Sequence, residues 1–154
     1  MEIQLTKSED MSSDTNAPGT DVFGMKPDTY CMLLHLSQLL NFLGPPLGII
    51  VPIVLWAIAK DKYPQVDQHG KIILNWLISL FVYAIIGGVV AVSGTIFSIF
   101  FMFATGVPAP IGMALFAVIT FLLGILGIVF PIIGALKAND GIMWKYPLSI
   151  PFFK

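Results

Sequence analysis

The sequence predicts an all-α polytopic membrane protein: a four-helix bundle with a short, proline-broken first hairpin and two longer transmembrane helices. Three observations carry this. From Ile72 to Leu136 there is not one Asp, Glu, Lys or Arg, and a second charge-free run extends from Thr29 to Ala59. About 20 apolar residues cross a hydrocarbon core of roughly 30 Å, so the longer run is enough for two crossings. Of the 154 residues 56% are hydrophobic and 11% charged, well below the roughly 25% charged residues of soluble domains. Gly44-Pro45-Pro46 and Gly106-Val107-Pro108-Ala109-Pro110 divide the runs into segments of helical length.

The elements follow in order. Met1 to Asp28 has six acidic residues against two lysines and no apolar core. It resembles neither a secretory signal nor an Arg-rich transit peptide, and it reads as a disordered acidic tail over 1–28 before a membrane domain over 29–154. The double proline removes N–H groups and pushes its predecessor out of the α region, which predicts two short helices over about 27–43 and 46–60. At 1.5 Å per residue each is about 22 to 25 Å long, so they cross a thinned bilayer or form a re-entrant hairpin. A polar link leads into a third helix, about 68–105, whose charge-free part alone would measure about 50 Å. It must tilt, protrude or break, and Ser93-Gly94 is its weakest point. A fourth helix runs over about 111–138, with Pro131 as a candidate kink, and stops at Asn139-Asp140-Gly141. Residues 142–154, with Pro147 and Pro151, read as extended chain along the membrane interface.

Lys60, Lys62, Lys71, Lys137, Lys145 and Lys154 flank the same ends of the two long helices, whereas the turn around Pro108 has none. That asymmetry marks the lysine end as cytoplasmic, and with a hairpin at the start both termini lie there too. Trp56, Tyr63, Trp76, Trp144 and Tyr146 accompany these lysines, as expected of rings at headgroup level. All eight cations are lysines; without arginine forks nucleic acid is a poor partner. The single Cys31 excludes an intramolecular disulfide and leaves the redox compartment open.

Candidate chemistry concentrates on one face of the first helix. At about 100° per residue Cys31, His35, Ser37, Gln38 and Asn41 share one arc and leucines occupy the other. Polar groups at membrane depth pair or meet water. A polar pocket of Cys31, His35, Gln38, Asn41, Asn75 and Ser79 is one reading, and interhelical hydrogen bonding by the same residues is the other. Cys31 and His35 lie one turn apart, but nothing nearby completes a metal-coordination set, so neither a metal nor a cofactor is expected. Asp67, His69 and Lys71 gather acid, imidazole and amine at the interface, which could act on a lipid headgroup or serve as a solvated turn. Ala84, Gly87, Gly88 and Ala91 form small-residue spacings on the third helix, matched by Gly124 and Gly127 on the fourth, as at a close helix seam.

Three segments carry a family resemblance: His35-Leu36-Ser37; Val66-Asp67-Gln68-His69-Gly70-Lys71 with Leu74-Asn75-Trp76 and Ile78-Ser79; and Ala135-Leu136-Lys137-Ala138-Asn139-Asp140-Gly141 followed by Tyr146-Pro147. Together they resemble the small bacterial Tic20-like membrane proteins, a domain of unknown function related to a chloroplast inner-envelope translocon subunit. The resemblance spans roughly Tyr30 to Phe153 and implies four helices with both termini on one side, but no catalytic residues. The expectation is a non-enzymatic subunit or accessory of an assembly in the bacterial cytoplasmic membrane, in contact with lipid and with a protein partner or further copies of itself. A translocation conduit or small-molecule channel is the alternative, and an interfacial lipid-modifying enzyme the third reading.

Overall fold

The computed structural model describes residues 22–44, 46–108 and 110–153. Among these the chain is helical apart from turns, one isolated bridge and a non-helical C-terminal segment. The elements are α1 (Pro27–Leu36), a 3-10 segment (Ser37–Phe42), α2 (Leu47–Ala59), α3 (Pro64–Thr105) and α4 (Ile111–Asn139).

The acidic tail is expected to reach residue 28, yet the described chain packs from Val22 onward. Val22 and Met25 exchange backbone hydrogen bonds of 2.7 and 3.1 Å around Phe23 and Gly24. Both of those residues have positive φ, as a tight two-residue reversal requires. Val22 is fully buried beside Tyr30, Leu34 and Val66. Residues 1–21, where the rest of the tail expectation falls, lie outside the described residues.

Pro27 opens α1 at a position where its missing N–H costs nothing. The helix does not continue regularly to residue 43. Ser37 Oγ donates to the Leu34 carbonyl at 2.7 Å, and the chain tightens into 3-10 geometry before Gly44, the usual way a helix end draws in under strain. α2 then folds back so closely that a Cβ at Gly48 would overlap Asn41. At 13 residues α2 is about 20 Å long, short of a full crossing.

α3 and α4 are long and apolar enough to cross a membrane. α3 runs unbroken for 42 residues, so of the three alternatives, tilting, protruding or breaking, the break at the weak point Ser93-Gly94 does not occur. Gly94 instead admits α4: a Cβ there would lie 3.1 Å from the Gly112 Cα. Gly106, at φ +73°, ends α3 in the left-handed region. α4 continues through Pro131 and stops where Gly141 adopts φ +70°.

Burial is concentrated at the lysine end. One cluster joins Val22, Tyr30, Cys31, Leu34, Val66 and Ile73; a second joins Trp76, Phe130 and Tyr146. Trp76 and Tyr146, expected at the headgroup level, are instead core residues, with ring centroids 5.7 Å apart. Of the most apolar window of α3 only 17% is buried, and of α4 only 6%. The most apolar parts of both helices therefore present most of their surface outward.

Candidate functional site

His35 is the centre of the polar face of α1, and it is wholly buried. Its Nδ1 is 2.7 Å from the Tyr146 hydroxyl and its Nε2 is 2.9 Å from His69 Nδ1. Gln38 Nε2 donates to the same hydroxyl at 3.0 Å and to the His35 carbonyl at 3.3 Å. The carbonyl contact fixes that amide atom as the nitrogen, since a carbonyl only accepts. With neutral imidazoles the hydrogen bonds then run one way. Tyr146 accepts from Gln38 and donates to His35 Nδ1, and His35 Nε2–H donates to His69 Nδ1. This leaves one unsatisfied group, the His69 Nε2–H, whereas the opposite direction would strand both that nitrogen's lone pair and the tyrosine proton. His69 Nε2 is buried and has no hydrogen-bond partner among the described residues.

The relay joins α1, α3 and the C-terminal segment, and α4 closes it. A Cβ at Gly134 would lie 2.7 Å from the Tyr146 ring and 2.8 Å from His35 Nδ1, so only glycine lets α4 approach. Burial raises the Tyr146 hydroxyl above its ordinary pKa, with the Gln38 contact opposing, which keeps it a proton donor.

The interfacial trio does not converge. Lys71 Nζ pairs with Asp67 Oδ2 at 2.8 Å, and Trp56 Nε1 donates to Asp67 Oδ1 at 3.2 Å. His69 projects from the opposite side of the same turns into the core, 1% exposed. Gly70, between them, lies so close to the Trp56 indole that a Cβ would overlap it.

Asn75 and Ser79 meet the C-terminal segment, not α1. Asn75 Oδ1 accepts the Phe152 and Phe153 N–H groups at 3.0 and 2.8 Å, and its Nδ2 donates to the Phe153 carbonyl at 2.9 Å. One turn on, Ser79 Oγ accepts the Ile150 N–H at 2.8 Å; another turn on, Tyr83 donates to the Leu148 carbonyl at 2.5 Å. Three residues on one face of α3 thus fasten residues 148–153 as a strap. The one-turn spacing of Asn75, Ser79 and Tyr83 is visible in the sequence; the partner is not.

The six residues of the expected polar pocket are therefore distributed. Gln38 and Asn41 line a cavity of about 480 Å³ between the 3-10 segment, α3 and α4, while Asn75 lines a second at the lysine end. Cys31, His35 and Ser79 are fully buried. Among the described residues no group of three or more His, Cys, Asp or Glu side chains is placed to hold a metal ion. Of the small residues, Gly87 packs on α4, where a Cβ would lie 2.7 Å from Ile119 Cγ2, and Ala91 is buried. Ala84, Gly88, Gly124 and Gly127 line the cavity beside Gln38, and a Cβ at Gly88, Gly124 or Gly127 would meet nothing within 4 Å among the described residues.

Residues 26–153 match the magnetosome magnetite crystal formation protein family, MamF/MmsF. No curated protein and no solved structure matches the chain. The match overturns the Tic20-like assignment, because it covers all three segments on which that resemblance rested. Histidine, asparagine and glycine at helix ends serve bundle closure in this fold and do not by themselves separate one small membrane family from another.

Proposed function

The chain belongs to the magnetosome magnetite crystal formation protein family, and from that premise we propose that it is a non-enzymatic accessory of the membrane around a forming mineral, acting by association within the plane of that membrane. The observation that carries this is the groove between α3 and α4. Gly88, Gly124 and Gly127 leave about 480 Å³ open beside two helices whose apolar faces are largely uncovered. Small residues let helix backbones approach closely in lipid, and here none of the described residues packs on these three. Most buried polar side chains are engaged by other side chains or by backbone groups, and the His69 imidazole turns away from the paired Asp67 and Lys71 into the core, which supports a scaffold over an enzyme.

Crosslinking tests the proposal. A Gly124→Cys variant in a Cys31→Ser background, oxidised in native membranes, should give a crosslinked species containing either a second copy or another membrane protein. Gly124→Leu should abolish the native-size complex while leaving thermal stability in detergent unchanged, because its side chain enters open space. A monomer-sized species in both membranes and mild detergent would overturn the reading.

A further inference from the structure

A second cavity, of about 780 Å³, opens where the end of α2, the first turns of α3 and the strap meet. Its size is that of a ligand pocket. Lys60, Lys71 and Lys145 line it, with Asp67 as the carboxylate among its lining residues. Asp67 is already engaged, by Lys71 at 2.8 Å and by Trp56. Lys60 lies over the Trp56 ring at 4.6 Å, and neither it nor Lys145 has a carboxylate within ion-pair distance among the described residues. Lys60 and Lys145 thus line one cavity with no carboxylate at ion-pair distance among the described residues, although Asp67, bonded to Lys71 and Trp56, is close enough to feel the Lys60 charge.

The remaining wall is mixed, with Gln68, Asn75 and Ser149 beside an apolar part. Ile72, Met143 and Phe153 line it, Met143 and Phe153 are exposed, and the charge-free run of α3 starts at Ile72, immediately after Lys71. Cations therefore stand at the level where the span begins, and the apolar part of the wall adjoins them. Lysines next to a membrane span attract anionic headgroups, and their stems pack on apolar surface while the charged ends stay at the interface. We infer that this cavity is a binding site for an anionic phospholipid, with the phosphate between Lys60 and Lys145 and the glycerol end of the acyl chains against Ile72, Met143 and Phe153. The site is separate from the groove at Gly124, so the two proposals fail independently.

The test uses the full chain purified in a neutral detergent and three probes: dioleoylphosphatidylglycerol, dioleoylphosphatidylcholine and inorganic phosphate. Phosphatidylglycerol should raise the thermal unfolding midpoint by several degrees, as a ligand of the folded state does, and the rise should shrink as salt increases. Phosphatidylcholine and inorganic phosphate should leave the midpoint unchanged. A Lys60→Gln, Lys145→Gln double variant should lose most of the rise with its lipid-free midpoint unaltered. Lys62→Gln, exposed on the same turn but outside the cavity, should keep it. Should the double variant fold poorly, the salt dependence and the choice among the three probes still decide the matter in the unmodified protein. Equal shifts from both lipids, or an equal loss in Lys62→Gln, would overturn the site; a full shift from inorganic phosphate alone would replace the lipid with a free anion.

Discussion

Tyr146 holds together groups that lie far apart in the chain. Its hydroxyl meets His35, 111 residues away, and Gln38, 108 residues away, at 3% exposure. Removing that oxygen leaves the Gln38 N–H and the His35 Nδ1 lone pair buried without a partner, and each such loss costs about 1–3 kcal/mol. Tyr146→Phe is therefore expected to lower thermal stability in detergent by at least that much while the helix content seen by circular dichroism persists. Unchanged stability would mean that the relay contributes nothing to the fold. None of these pairings could be read from the sequence. Helical periodicity shows that His35, Gln38 and Asn41 share a face, but a partner on another element is fixed only by how the elements pack. Asn41 illustrates the limit: it lies on the same arc and is exposed.

The helices were more legible than their joints. Charge-free runs and proline pairs locate helices because lipid and backbone chemistry act on consecutive residues, whereas the 3-10 segment depends on a local competition between side-chain and backbone donors for the same carbonyls. Ser93-Gly94 shows how one signal has two outcomes. Small residues weaken a helix, yet here they admit α4 and the helix stays straight enough to be continuous. The same distinction separates Gly87 from Gly124. Gly87→Leu must displace Ile119, and overpacking of this kind costs about 1–3 kcal/mol. It should lower the unfolding midpoint in detergent, where Gly124→Leu does not. The reverse ranking would mean that α3 and α4 meet through the other face.

On the scale of the whole molecule, α3 and α4 are antiparallel neighbours joined by the turn after Gly106, so the link before α3 and the strap after α4 emerge together. Single cysteines replacing Lys62 and Lys145, in a Cys31→Ser background, should react with an impermeant reagent from one side of the membrane, and a cysteine replacing Val107 from the other. The excess of lysine predicts that the first side is cytoplasmic. Labelling of positions 62 and 107 from the same side would show that α3 does not cross.

The strap also sets an order of assembly. Residues 146–153 are synthesised after all four helices, yet they supply the hydroxyl at the centre of the buried relay and the backbone groups that satisfy Asn75 and Ser79. Without that segment Gln38, His35, Asn75 and Ser79 lack those partners. A chain ending before Tyr146 is therefore expected to keep its helices but to leave this polar seam open, and so to be cleaved faster by an added protease than the full chain.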